Sequence, residues 1–123
     1  MLDASTLQHR GTESGFDLWS ASDAEGRTYL LAARDGYVSM TRSDALEFQE
    51  RGVALTAGIV DGPSVQAVLL PPGVDNSALT SELGLRAIDD TLSVRHGEPI
   101  QKSVELDDGG LTVGLLAPAV PDE

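Results

Sequence analysis

The chain reads as a strand-rich α+β protein: a mostly antiparallel, curved sheet of short strands, about seven or eight, with one or two short helices packed on one face. Three observations predict this. Short apolar runs recur between Gly, Pro, Asp and Ser turn signals. The joins between most runs are too short for crossovers, so neighbouring strands pair antiparallel. Only two segments carry a helix start and a glycine stop.

Taken in order, "FDLWS" (16–20) alternates, with Phe16 and Leu18 on one face and Asp17 and Trp19 on the other. Gly26 in "ASDAEG" supplies the positive φ of a hairpin, and "RTYLLAA" (27–33) returns. "RDG" is a second tight turn. "YVSMT" (37–41) alternates again; Val38 and Met40 are expected inward and Tyr37 outward.

The first helix is expected to start at Thr41 as N-cap, with Asp44 at N3 against the positive end of the dipole. Glu47 and Arg51 stand i,i+4, and Gly52 stops the helix. Ala45 and Phe48 form its apolar face, flanked by Leu46. "VALTAGIV" (53–60) and "VQAVLLP" (65–71) are continuously apolar, as strands covered on both sides are. "VDNSALTSELGL" gives a second short helix, with Asp75 as N-cap and Val74 stapled to Leu79. "TLSVR" (91–95), "IQKSVEL" (100–106) and "LTVGLLA" (111–117) are further strands, joined through "HGEP" and "DDGG".

A chain of 123 residues favours one domain, here residues 16–117. Residues 1–15 read as a flexible N-terminal arm and residues 118–123, with two terminal acids, as a tail. Aromatics are 4% of the chain, so Leu, Val and Ala must fill the core. There is no cysteine, which excludes disulfides and thiolate chemistry. No long apolar window or basic leader occurs, so a cytoplasmic protein with no membrane span is expected.

The net charge is −12, spread over both halves of the chain. Nucleic-acid binding through phosphates needs a basic surface and is not expected. A negative field steers toward a basic protein instead.

The residue patterns needed for common chemistries are missing. His9 and His96 are far apart in sequence, with no metal-ligand spacing. Ser14 in "GTESG" stands one position late for a nucleophile elbow. No phosphate-cradling glycine motif occurs, and the only lysine is Lys102. Asp89–Asp90 and Asp107–Asp108 sit in turn contexts, where Asp is ordinary. No catalytic residue, metal site or cofactor is therefore assigned.

Trp19 and Tyr37, expected on an outer sheet face beside Tyr29, form a candidate docking patch rimmed by Arg27, Arg34 and Asp17. With Arg42 and the helix acids Glu47 and Glu50, the partner-binding set is Trp19, Tyr37, Arg34, Arg42, Glu47 and Glu50. The expectation is a small acidic protein-interaction module that binds a basic partner, as an immunity- or antitoxin-type inhibitor or an accessory subunit does. Two alternatives stay open. One is a small-molecule binder or small enzyme with a pocket between sheet and helix. The other is a structural subunit of a larger assembly, which a homodimer with a broad apolar interface would favour.

Overall fold

The computed structural model describes residues 3–13, 15–34, 36–58, 64–96, 100–106 and 111–115. The chain order is β1 (Asp3–Glu13), β2 (Phe16–Ser22), β3 (Thr28–Arg34), β4 (Tyr37–Ser43), α1 (Ala45–Arg51), β5 (Val53–Gly58), β6 (Ser64–Leu69), α2 (Ser77–Leu83), β7 (Arg86–Ala87), β8 (Leu92–His96), β9 (Lys102–Leu106) and β10 (Leu111–Leu115). The strand-rich α+β class is as expected, with antiparallel pairing throughout the described ladders. The strands are divided among three sheets, ordered β1-β2-β3-β4, β5-β6-β8-β7 and β10-β9.

Side-chain alternation explains how the sheets stack. The inner face of the first sheet presents Phe16, Leu18, Leu30 and Ala32. They meet Val53, Leu55 and Ala57 of β5, Val65, Ala67 and Leu69 of β6, and Leu92 and Val94 of β8. Fully burying a side chain such as Phe16 or Leu18 contributes roughly 1.5–3 kcal/mol. The opposite face of β6 gives Val68, which joins Leu79 and Leu83 of α2 and Val104, Leu106, Leu111, Val113 and Leu115 of the β9–β10 hairpin. The result is three layers with β6 in the middle. This is why residues 65–70 are buried without a break, whereas β2 alternates over Phe16–Trp19. The tail over 118–123 and the "DDGG" join lie outside the described residues.

Four local expectations are corrected. Asp3–Glu13 of the expected arm is the edge strand of the first sheet, because Glu13 and Phe16 pair across a two-residue connection and the ladder runs back to Asp3. Second, α1 starts later than expected. β4 continues through Ser43, so Thr41 sits opposite Leu30 in the ladder and Asp44 becomes the N-cap. The capping box is Asp44–Glu47: Asp44 Oδ1 accepts from the Glu47 N–H at 2.8 Å, and Glu47 Oε1 accepts from the Asp44 N–H at 3.4 Å. Third, α1 buries no residue fully; Phe48 packs half-buried against the first core, while Leu46 is 68% exposed. Fourth, Val38 and Met40 are 61% and 52% exposed and face outward.

The two large sheets are also tied by polar contacts. Glu13 on β1 accepts from Arg86 at 2.8 Å and contacts His96 Nδ1 at 3.0 Å. Burial alone would raise the Glu13 pKa, but those two bonds and the nearby positive charge outweigh it and lower it. Arg10 reaches Ser20, Asp89 and Thr91, and the Asp89 pKa is lowered in the same way by Thr91, Leu92 and Arg10 against the effect of burial.

Candidate functional site

The outer face of the first sheet carries the exposed side chains of Val38 and Met40, while its Ala21–Tyr29 end is buried. Its positions follow from the register. Trp19 pairs with Leu31, and Leu31 with Met40. Asp17 pairs with Ala33, and Ala33 with Val38. Ala21 pairs with Tyr29, and Tyr29 with Arg42. These nine residues make a three-by-three grid on β2, β3 and β4, centred on Leu31. On β1, His9 extends the central row beside Trp19 and Thr12 extends the row of Asp17.

The grid is apolar across its middle and charged only at two corners. Met40 and Val38 are exposed, Trp19 and Leu31 half-buried, and Tyr29 and Ala21 buried. The His9 ring stands edge-on to Trp19, with centroids 4.9 Å apart. Asp17 and Arg42 occupy diagonally opposite corners. Asp17 Oδ1 lies 3.2 Å from His9 Nε2 and accepts from the Thr12 hydroxyl. Arg42 has no ionic partner among the described residues. On a chain of net charge −12, this grid carries one formal acid and one formal base.

The expected docking patch is not assembled as such. Trp19 and Arg42 share the outer face, but Tyr37 lies on the inner side. Its ring stands at 73° to Phe16, centroids 6.1 Å apart, and the Arg34 guanidinium carbon lies 6.0 Å from the Phe16 ring centre. Arg34 and Tyr37 face each other across the β3–β4 connection, so both close over Phe16. Tyr29 is 1% exposed; its hydroxyl donates to Asp23 Oδ2 at 2.7 Å. Arg27 is tied to Asp23 and Glu25, and the same Asp23 oxygen accepts from both Arg27 and Tyr29 at the buried end of the grid. Glu47 and Glu50 are exposed on α1, where Glu50 borders a shallow depression of about 550 Å³ with Arg51, Thr112 and Gly114. The residues missed are Leu31, Val38 and Met40, and the signal for them was the short β3–β4 turn.

A second feature is a cleft of about 260 Å³ between the sheets and Phe48, with Arg10, Ser20, Ser22, Thr28 and Thr91 among its polar lining. It is smaller than ordinary ligand sites of roughly 300–1,000 Å³. Its main cation, Arg10, is already bonded to Ser20, Asp89 and Thr91. Among the described residues no three His, Asp or Glu side chains are grouped to hold a metal ion. Among the described residues no helix is long and apolar enough to cross a membrane.

No family model, no curated protein and no solved structure matches this chain.

Proposed function

We propose that the chain is a protein-interaction module that docks through the outer face of the β1–β4 sheet. The observation that carries this reading is the row Trp19–Leu31–Met40, half-buried at Trp19 and Leu31 and exposed at Met40, with exposed Val38 beside it. Large exposed apolar side chains that lie side by side on a sheet favour association, because covering them removes apolar surface from water. Trp and Arg also recur among residues that dominate binding energy. A second reading, ionic capture of a basic protein by Glu47 and Glu50, draws support from the exposure of both acids and from the net charge of −12.

Affinity capture from native lysate, at low and high salt, separates the two. Docking on the sheet predicts capture that survives salt and is lost in Met40→Asp. Ionic capture predicts release by salt and loss in the Glu47→Lys, Glu50→Lys double variant. Capture that is unchanged in Met40→Asp rules out the sheet face.

A further inference from the structure

We propose that the outer face of the first sheet self-associates, and that its partner is a second copy of this chain. This rests on the reading of that face as a docking surface and names its occupant. The argument starts from charge. Asp17 and Arg42 lie at opposite corners of the grid, with Leu31 between them. A two-fold axis lying in the interface, near the other diagonal from Ala21 through Leu31 to Val38, exchanges those corners. Asp17 of each copy then meets Arg42 of the other, twice. Leu31 and Val38 pack near their own counterparts, and Met40 meets Ala33. Trp19 comes over the end of the grid at Tyr29, which is itself buried; the more exposed positions Leu31, Val38, Met40 and Ala33 find apolar partners and each charge its opposite, as an isologous interface requires.

Such an axis sets the strands of the two copies nearly perpendicular, roughly 90°, which is one of the two favoured ways of packing sheets face to face. The grid is electrically neutral, so the contact itself brings no like charges together. The remaining surface does: two copies of net charge −12 repel at long range. Salt screens that repulsion over about 10 Å at 0.1 M, so this dimer tightens as salt is added. A complex with a basic protein weakens instead.

The size of the face sets the strength. Strands spaced about 4.8 Å apart and rising about 3.3 Å per residue give roughly 19 by 23 Å for β2, β3 and β4, seven residues each, with β1 beside them. The two faces together put about 900 Å² of projected area in contact, below the roughly 1,200 Å² of standard specific interfaces. The dimer is therefore weak and concentration-dependent, with a dissociation constant of about 10 μM or higher.

The test is sedimentation equilibrium of the full chain up to about 1 mM, at low and raised salt, with Trp19 fluorescence as a second readout. The chain has a single tryptophan, so its emission reports this face. Dimerisation that strengthens with salt, shifts Trp19 emission and disappears in Met40→Asp supports the proposal. Asp17→Arg and Arg42→Asp should each weaken the dimer about tenfold, and the double swap should restore it to within about twofold. A monomer at every concentration overturns the proposal, as does a dimer that Met40→Asp leaves intact. Single swaps without effect, or a double swap that fails to restore, overturn the two-fold pairing. A monomeric chain that still captures another protein through Met40 overturns the dimer while the docking reading stands.

Discussion

Glu13 and His96 meet across the two large sheets, Oε2 to Nδ1 at 3.0 Å, although 83 positions separate them in the chain. Glu13 is the more buried member, with its side chain 13% exposed against 74% for His96. Together with Arg86 it fastens the end of edge strand β1 to β7 and β8.

This gives a pH prediction. The folded pKa of Glu13 is depressed, so the carboxylate contributes stability above its unfolded pKa and loses it as pH falls through the folded value. Asp89 behaves alike. Urea denaturation should show stability falling as pH drops below about 4, and Glu13→Gln should flatten part of that slope. At neutral pH the same variant should cost roughly 0.5–1.5 kcal/mol.

The start of α1 can be tested by two substitutions. Asp44→Ala should destabilise by about 1 kcal/mol, because it removes the acceptor of the Glu47 N–H. Thr41→Val should cost less, since Thr41 lies within β4 and does not cap the helix. Thermal unfolding of both variants checks the order.

Gly52 has φ +64°, and a Cβ there would lie 2.7 Å from the Leu69 carbonyl oxygen. Backbone cannot retreat as a flexible side-chain tip can. Gly52→Ala should therefore cost more than the roughly 1–3 kcal/mol of backbone strain alone. Gly36 has φ +83° with nothing within 4 Å of the added atom, so Gly36→Ala should show only the strain. Denaturant midpoints of the two variants should differ in that order.

Gln66 is 1% exposed, and its amide donates to Thr56 and to the Ile100 carbonyl and accepts from the Ile100 N–H. It thus ties the middle strand β6 to the chain entering β9. Gln66→Met keeps the volume but leaves the Ile100 groups unpaired, at about 1–3 kcal/mol each if they stay buried. Faster amide exchange at Ile100 would show the loss directly.

Tyr29→Phe removes the bond to Asp23 and should cost about 1 kcal/mol. Asp23 keeps its other donors, the Arg27 side chain and the Arg27 and Glu25 N–H groups. The turn should therefore persist, and the backbone signals of residues 23–27 should move little.

The exposure of Val38 and Met40 shows how far local reading goes. Alternation placed Val38 with Met40 and opposite Tyr37, which is right. Which side was the core was decided by the neighbour. The two-residue connection makes Arg34 pair with Tyr37, so Tyr37 shares the face of Leu30 and Ala32. Residues 38 and 40 then point outward, and the aromatic patch expected from Trp19, Tyr29 and Tyr37 separates. The turn signal was present in "RDG". Its consequence for facing needed the register of a third strand.

By itself the sequence determined the fold class, the antiparallel pairing of short strands, and the positions of both helices to within a few residues. It also determined the acidic net charge and the absence of cysteine chemistry. These follow from local periodicity, turn residues and composition, which act within a few positions. Only the tertiary structure decided that the strands divide into three sheets, that Asp3–Glu13 is a strand, and that Leu31, Val38 and Met40 share an open face with Trp19. The reason is physical. A strand shows the same alternation whichever face is buried, and register and stacking, fixed by contacts between distant segments, select one face for the core.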